Sequence, residues 1–354
     1  MSDTAPSLRL DDATAEDGPA IAGLLAQPLP GEVRLAIIPS VAACVPRCDA
    51  ECRHQAVVVR DRDGLVQAHG ARTVRRLWLG GQPRWVGYLG GLRRSATLAG
   101  DGRRLARALV CLTGTRAGDE VGHDFTSILT ANARALRVLT GGLSGAPVYQ
   151  HLIAYRTWVV AVAALTRRAV SDQWHAARLA DADVAEVQAL VDAEASDYAP
   201  VVEVGATCQD WWVLRQAGRI VGCARLWDRR QDRRVVFVGY APALRVIRPL
   251  VNLAQRLSAK PTLPPSGSTL ASVHVAHLTL PSRDPQALAV LLHALGAAAR
   301  NRGCDRVVIG LGAGHGLYQA IDRLPARWLD SRLFTVGRQM ALADRCVSPE
   351  AALL

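Results

Sequence analysis

The amino-acid sequence predicts an α+β fold in which one plan of strands and helices occurs twice. Residues 9–27 and 178–194 each contain a basic strand end, an acidic stretch and an amphipathic helix. When Ile21 is placed on Val187, the apolar residues of the two helices coincide at helical spacing, and acidic residues lie where the helix dipole favours them. Patterns typical of antiparallel strands follow in both halves, so each half mixes strands with helices.

The first half continues with a hairpin, three further strands and two helices. Strand-like runs flank a turn at Asp63 and Gly64, residue types that favour tight turns. The second of the two helices begins near Asn132. The expected ranges are 56–74 for the hairpin, 84–92 for the third strand, a helix up to about residue 117, then strands at 124–131 and 149–160.

The second half repeats this order and adds one helix. Its hairpin turns at Ala217 and Gly218, and a segment rich in proline, glycine and serine predicts a linker at 260–269. The expected ranges are 211–227 for the hairpin, 243–258 for the added helix, 270–280, 306–311 and 331–337 for strands, and 284–300 and 316–324 for helices.

Length and composition predict a folded protein of two domains. The 354 residues exceed the ~250 that one core usually holds. Half of the residues are hydrophobic and 21% are charged, which argues against disorder. With the boundary near 167–175, we predict domains at 1–168 and 174–345, each a mixed, mostly antiparallel sheet flanked by helices.

The chain shows no signal for secretion or for a membrane. Its first residues are polar and acidic, unlike a secretory signal. The longest strongly apolar run without charge, 157–166, is far shorter than the ~20 residues that span a bilayer. We therefore expect a cytoplasmic protein with no membrane partner.

Three cysteines are the only pattern that suggests a metal. Cys44, Cys48 and Cys52 are evenly spaced and His54 follows closely. Zinc sites usually combine two closer pairs of ligands, and no second pair occurs in this sequence. We expect reduced, structural cysteines and no metal site.

The net charge of +11 is carried almost entirely by arginine, since Lys260 is the one lysine. Between Arg72 and Arg116 there are ten arginines and one acidic residue, Asp101. Such an excess attracts phosphates, nucleic acid or an acidic protein, although a solvated basic face is an ordinary alternative.

Within this region, residues 93–109 predict a phosphate-binding turn. Gly100 and Gly102 precede two arginines and an apolar helical stripe. Glycines let the backbone approach an anion closely, and the free amides of a helix N-terminus favour negative charge. A simple surface turn is the alternative.

The order of elements and this glycine turn together resemble the GNAT superfamily of N-acetyltransferases, present twice. In that family the fourth strand leads into a loop of the form Arg/Gln-x-x-Gly-x-Gly/Ala. Residues 97–102 match it at both glycines, while Thr97 stands at the Arg/Gln position. The second half has no glycine at 278–286 and has Pro285 in the first helical turn, so its cofactor loop is expected to be degenerate.

The resemblance implies a donor site for acetyl-CoA or another acyl-CoA in the first half. Backbone amides near Gly91 would meet the oxyanion. The implied residues are Gly91, Leu92, Arg93, Thr97, Leu98, Ala99, Gly100, Asp101, Gly102, Arg103, Arg104 and Asn132.

No catalytic base can be assigned from the sequence. Family members often have a carboxylate late on the fourth strand and a tyrosine in the helix after the fifth, but the corresponding places here hold Gly90-Gly91-Leu92 and Leu139. His274 and His277 lie three apart on one strand and are expected on opposite faces. Possible substitutes, each also consistent with a purely structural role, are Tyr88, His123, Asp124, Tyr149, His151 and Tyr155.

We therefore predict an N-acyltransferase, acetyl being the expected group, that uses acyl-CoA and acts on the amine of a small molecule or peptide. One alternative is a non-catalytic protein that binds CoA or an acyl ligand, and another is an enzyme that accepts the acyl group from an acyl carrier protein. Nucleic-acid binding is disfavoured, because only Trp78, Trp85 and Tyr88 lie among the arginines as stacking residues.

Overall fold

The structure is a computed structural model. It describes the following residues: 8–28, 33–48, 52–95, 124–141, 147–167, 172–257, 261–337 and 346–354.

The described part of the first half contains eight strands and three α-helices. The strands are β1 Arg9–Asp12, β2 Val33–Pro39, β3 Arg47–Cys48, β4 Cys52–Arg60, β5 Val66–Leu79, β6 Gln82–Arg94, β7 Asp124–Leu129 and β8 Tyr149–Ala161. The helices are α1 Gly18–Leu25, α2 Ala133–Thr140 and α3 Val162–Leu165. The predicted helix that ends near residue 117 lies outside the described residues.

The described part of the second half contains seven strands and four α-helices. The strands are β9 Trp174–Arg178, β10 Trp211–Gln216, β11 Arg219–Trp227, β12 Arg233–Tyr240, β13 Ser272–Thr279, β14 Arg306–Gly312 and β15 Ala326–Val336. The helices are α4 Val184–Ala193, α5 Pro242–Leu257, α6 Pro285–Asn301 and α7 Tyr318–Asp322.

One long sheet runs through both halves. Its order is β1-β4-β5-β6-β7-β15-β8-β14-β13-β11-β10-β9, with β3 beside β4 at one end. The pairs β6–β7 and β13–β14 are parallel, and the other described pairs of this sheet are antiparallel. The mixed α+β class predicted from the sequence is confirmed.

The two halves exchange their last strands at the middle of this sheet. Strand β8 ends the first half but pairs with β14 of the second half, while β15 of the second half pairs with β7 of the first. β8 and β15 also pair with each other along their length, from Val160 opposite Ala326 to Tyr149 opposite Val336. The halves are thus joined through backbone hydrogen bonds. The division into domains at 1–168 and 174–345 remains a prediction.

The largest hydrophobic cluster packs helix α6 against the sheet of the second half. Leu288, Leu291 and Leu295 recur at helical spacing and are buried together with Trp158 of β8. The helix begins where the sequence predicts, because Asp284 accepts hydrogen bonds from the first two free amides and Pro285 suits the first turn.

A second cluster covers one face of the first half. It contains Leu77, Phe125, Tyr198 and Val347, which come from distant parts of the chain. The C-terminal segment, residues 346–354, runs over this face and is held there in part by Tyr155, whose hydroxyl donates to the Pro349 carbonyl at 2.8 Å.

A separate two-stranded ribbon was not predicted. β2 and β12 pair in antiparallel fashion, one strand from each half. Its apolar residues pack with Leu263 and with Leu244 and Val251 of α5. Other differences are smaller, since β15 begins at Ala326, ahead of the predicted start at 331, and α7 is shorter than predicted.

Candidate functional site

The central strands of the first half separate at a backbone bulge. β6 and β7 pair in parallel only at Gly87–Asp124 and Tyr88–Phe125, although both strands continue beyond these residues. The register between β5 and β6 shifts opposite Gly91, which has a φ of +64°. Glycine adopts this conformation without steric cost. The separation leaves a gap between β6 and β7, and α1 packs against β5 and β6 beside it.

His69 lies beside this bulge. Its Nδ1 is 2.9 Å from the Gly91 carbonyl, and since a carbonyl only accepts, Nδ1 carries the proton. A Cβ added at Gly91 would lie 3.1 Å from His69 Cε1, so glycine is also needed for this close approach. The two requirements, a positive φ and little space, fall on the same residue.

The second ring nitrogen of His69 is buried and unpaired. The residue is 3% exposed, and within the described ranges no group hydrogen-bonds its Nε2. Burial lowers the pKa of His69, and the charge of Arg93 lowers it further, while the Gly91 bond acts in the opposite direction. The ring is therefore held neutral, with a lone pair on Nε2. A neutral imidazole of this kind is a potential proton acceptor.

Asp124, one of the predicted substitutes for a base, is instead held in a buried ion pair. Its carboxylate lies 2.7 Å from Arg72 Nε, and both side chains are 6% exposed. A Cβ on Gly87 would lie 1.7 Å from Asp124 Oδ1, so the ion pair fills the space over that glycine. Arg72 and His69 point to opposite faces of β5, because side chains alternate along a strand. His123 lies outside the described residues.

The four other predicted substitutes for a base are three tyrosines and one histidine. Burial raises the pKa of Tyr88 to about 12 and raises that of Tyr149 as well. The hydroxyl of Tyr155 is used by the Pro349 carbonyl. His151 is exposed and contacts the ring of Phe334. Tyr88 lies close to the bulge, with its ring against Gly90, but His69 is the one of these candidates whose ring is bonded to Gly91.

Only part of the predicted donor site falls within the described residues. Gly91, Leu92 and Arg93 form the end of β6 at the bulge, where Arg93 donates to the Leu92 carbonyl at 3.1 Å. Asn132 is the N-cap of α2, and its side chain accepts from Ala135 N. The remaining predicted residues, Thr97, Leu98, Ala99, Gly100, Asp101, Gly102, Arg103 and Arg104, lie outside the described residues.

A cavity of about 140 Å³ lies on the same sheet face as His69. His54, Thr73 and Tyr88 line it from strands β4, β5 and β6. We call it the arginine cavity, after four further lining residues: Arg47, Arg75, Arg229 and Arg233. Burial, followed by the charges of Arg47 and Arg75, lowers the pKa of His54 to about 4.

The second half has a comparable separation of strands, but its own chain fills it. β13 and β14 pair in parallel only from Ser272–Arg306 to Val275–Ile309, and a bulge follows at His277, whose φ is +49°. Glu350 accepts the His277 amide at 2.7 Å. The cavity beside these residues measures about 40 Å³.

Glu350 is buried beside this second strand separation, and its pKa is raised. Burial raises its pKa to about 7, against the opposing effects of the His277 amide and the charge of Arg225. Burial likewise lowers the pKa of His277, to about 3. Burial in the same low-dielectric surroundings therefore favours the neutral form of both groups.

The described part of the chain offers neither a cluster of metal-binding side chains nor a membrane-spanning helix. No set of three or more histidine, cysteine, aspartate or glutamate side chains there is grouped closely enough to bind a metal ion. None of the helices described there has the length and apolar character needed to cross a bilayer. The described cysteines are free thiols.

Sequence reasoning missed His69, His54 and the arginine cavity. Alternation along β5 would have put His69, Thr73 and Arg75 on one face, but only the register with β6 brings His69 to Gly91. Arg229 and Arg233 come from the second half, and no local pattern indicates that they join residues of β3 and β5.

Comparison with known proteins confirms the fold that the resemblance implied. A GCN5-related N-acetyltransferase from Sphaerobacter thermophilus matches 96% of this chain and 100% of its own, with a TM-score of 0.58 at 14% identity. A tandem GNAT protein from the clavulanic acid biosynthesis pathway matches 95% of this chain and 100% of its own, with a TM-score of 0.53 at 11% identity. The chain therefore has the GNAT fold, in an arrangement similar to that of a tandem GNAT protein.

A third match is longer than this chain. A fungal multi-domain GH3 β-N-acetylglucosaminidase with a GCN5-related glucosamine N-acetyltransferase region has a TM-score of 0.61 at 11% identity. The match covers 95% of this chain but 39% of that protein. No protein-family profile matches the sequence. No curated protein matches it by sequence.

Proposed function

We propose that this protein is an N-acyltransferase that moves an acyl group, acetyl in the simplest case, from CoA to the amine of a small molecule or peptide. The fold is that of GNAT acyltransferases. One similar structure is Saccharomyces cerevisiae N-myristoyltransferase with bound myristoyl-CoA, with a TM-score of 0.54 at 10% identity, covering 97% of this chain and 86% of its own. Acyl-CoA is thus the donor class that the fold favours.

The observation that carries the proposal is the neutral His69 beside the bulge at Gly91. In the proposed reaction the acceptor nitrogen attacks the thioester carbonyl, a C–N bond forms and the C–S bond breaks. His69 Nε2 takes the proton that the amine releases, directly or through a water molecule. Backbone amides from Gly91 to Arg93 stabilise the oxyanion, and the CoA thiolate leaves and is protonated.

The predicted donor residues complete this proposal. The glycine turn at 97–104 would hold the pyrophosphate at the start of a helix, as the sequence predicts. The second half is proposed to bind no donor. Its corresponding helix, α6, already has two of its first amides bonded to the Asp284 carboxylate, which would also repel a phosphate. The cytoplasmic location stays a prediction.

Replacement of His69 by asparagine tests the proposed base. The asparagine amide can still donate to the Gly91 carbonyl but offers no basic nitrogen. We expect kcat to fall by roughly 100-fold or more, the range for loss of a general base, with little change in CoA affinity by calorimetry. The acid limb of the pH profile of kcat/KM, set by a histidine, should also disappear in His69→Asn.

The matched control is His151→Asn, which changes an exposed histidine of β8 and should leave kcat and the pH profile as they are. Release of free CoA thiol from acetyl-CoA with a panel of amines provides the assay. An unchanged acid limb in a folded, CoA-binding His69→Asn protein would contradict the role of His69.

Two alternatives have distinct outcomes in the same assay. CoA binding without turnover of any amine would favour a non-catalytic binding protein. Turnover from acyl carrier protein that falls steeply with salt would favour the carrier as donor. The structure weakens one argument for an acyl carrier protein as donor, because Arg72 is buried with Asp124 and Arg75 lines a cavity. These arginines therefore do not form one surface that could bind the carrier.

A further inference from the structure

Helix α5 presents a row of apolar side chains to solvent. Val246, Leu250, Leu253 and Leu257 are 79%, 71%, 58% and 84% exposed. Their spacing of four, three and four residues places them in one line along the helix. Five of the eleven large hydrophobic side chains that are exposed in the described part of the chain lie on α5, the fifth being Ile247. We call Val246, Leu250, Leu253 and Leu257 the apolar ridge.

The opposite side of α5 is fixed by polar contacts. The Asn252 side chain donates to the Leu263 carbonyl at 2.9 Å and accepts from the Leu263 amide at 2.7 Å. Arg248 donates to the Pro264 carbonyl at 3.2 Å, and Val251 packs in the same cluster as Leu263. These contacts set the rotation of the helix. The apolar ridge therefore points to solvent, although a helix normally turns its apolar stripe to the core.

The shape of the apolar ridge favours a flat partner. A contiguous exposed apolar row marks a surface that interacts with another protein or with a membrane. The ridge is highly exposed along its whole length, so no element within the described ranges forms a wall beside it. A convex face of this kind can sink into the surface of a bilayer, whereas a protein partner would have to provide a groove for it.

The charge of the surrounding sequence favours an anionic partner. Residues 233–283 contain six arginines and Lys260 but no aspartate or glutamate. Arg245 is exposed on α5 itself, next to the first residue of the apolar ridge. Two copies of this helix would bring like charges together, so charge disfavours self-association through the ridge. Anionic lipid headgroups, by contrast, attract arginine.

The length of α5 suits a position in the membrane surface. Its 16 residues extend about 24 Å, less than the ~30 Å hydrocarbon core of a bilayer. Helices with one apolar face and basic residues beside it lie in the plane of the headgroups. The sequence prediction of no membrane partner rested on a missing secretory signal and a missing spanning run, and a surface helix needs neither.

We propose that the apolar ridge of α5 docks this protein on the surface of a membrane that contains anionic lipids. The four apolar side chains enter the boundary between headgroups and acyl chains, while Arg245 meets the anionic headgroups. The inference is independent of the proposed acyltransferase function, since docking needs neither CoA nor turnover.

Co-sedimentation with lipid vesicles tests the docking. One set of vesicles contains phosphatidylcholine and phosphatidylglycerol in equal parts, and the other contains phosphatidylcholine alone. Because the whole chain is basic, charge alone would draw it to the mixed vesicles, so the decisive variant changes no charge. Leu250→Gln combined with Leu253→Gln removes the centre of the apolar ridge and keeps good helix formers. We expect its partition onto the mixed vesicles to fall roughly tenfold or more.

Leu65→Gln combined with Val148→Gln is the matched control, because these two side chains are 61% and 65% exposed and lie outside α5. This control should partition like the parent protein. Arg245→Gln should weaken binding to the mixed vesicles about fivefold at low salt and less at high salt. Melting temperatures of all variants establish that they are folded.

Two results in this assay would overturn the inference. One is equal partition of the parent and of Leu250→Gln/Leu253→Gln onto the mixed vesicles, because binding would then depend on charge alone. The other is no binding of the parent to the mixed vesicles. Sedimentation velocity without lipid tests the other occupant. A dimer that Leu250→Gln/Leu253→Gln abolishes, without vesicle binding, would assign the apolar ridge to a second copy of the chain.

Failure of the inference and failure of the proposed function give different results. Vesicle binding that depends on the apolar ridge, without acyl transfer to any amine, supports the docking and contradicts the enzyme. Acyl transfer by a protein whose vesicle binding ignores the ridge supports the enzyme and contradicts the docking.

Discussion

The two strand separations of this molecule share a topology and differ in what occupies them. In the first half the bulge residue is Gly91, with the neutral ring of His69 against it. In the second half it is His277, whose amide is bonded to Glu350. Asp284 occupies the helix amides beyond the second separation. A duplicated fold can thus keep its backbone geometry twice while only one copy leaves polar groups for a ligand.

The strongest test of this asymmetry is the number of CoA molecules that bind. We expect one per chain, and we expect Gly102→Val to weaken that binding at least 100-fold, because a β-branched side chain would stand where the pyrophosphate approaches the backbone. Isothermal calorimetry measures both quantities. Gly239→Val is the control, since a Cβ at that glycine meets no atom within 4 Å.

Two CoA molecules per chain would show that the second separation is open to a donor. Unchanged affinity in a folded Gly102→Val protein would instead remove the predicted glycine turn from the donor site. The two outcomes are independent of each other.

The next largest expected effect is on stability, and it comes from the buried carboxyl group of Glu350 in the second half. Since the pKa of Glu350 is raised to about 7, the folded state favours its protonated form. Its stabilising contribution is full below the ordinary value near 4.5 and is lost as the pH rises through about 7. A shift of this size corresponds to a loss of about 3 kcal/mol in the free energy of unfolding.

Glu350→Gln keeps an acceptor for the His277 amide but cannot ionise. The buried histidines, such as His277, have lowered pKa values and give stability the opposite pH dependence. The parent and Glu350→Gln should therefore be compared by urea unfolding at pH 5 and pH 8. A difference in stability that is the same at both pH values would mean that Glu350 titrates normally.

The smallest expected effect comes from two glycine substitutions, which together separate the cost of backbone strain from the cost of the contact with His69. Gly91→Ala and Gly64→Ala both place a Cβ at positive φ, which costs about 1–2 kcal/mol. A Cβ at Gly64 meets no atom within 4 Å, whereas one at Gly91 lies 3.1 Å from the His69 ring. Gly91→Ala should lose at least as much stability as Gly64→Ala, and only Gly91→Ala should lose turnover, by about tenfold. Equal turnover in the two would place the reaction elsewhere.

Local patterns predicted most of the elements but not their neighbours. The apolar period of α6, with Asp284 and Pro285 at its start, is enough to place that helix from sequence. Strand ranges followed from β-branched runs. The pairing of β15 with β7 could not be foreseen, because alternation says which face a residue takes and not which strand lies beside it.

The candidate site was predicted only in part, for the same reason. Gly91 was named through the family resemblance, whereas His69 and Arg233 take their positions from contacts with residues far away in sequence. Arg72 shows the opposite error. It contributed to a predicted basic surface, but a buried carboxylate neutralises it inside the protein.

The exchange of β8 and β15 also determines the order in which a nascent chain can assemble. β7 ends at Leu129, and its neighbour β15 begins at Ala326, so the ribosome must add almost 200 residues between them. At ordinary rates of synthesis this takes about 10–40 s. Throughout that time one edge of β7 has no β15 to pair with, and unpaired edges invite association with other chains. The first half is thus expected to depend on chaperones until the last strand of the second half emerges.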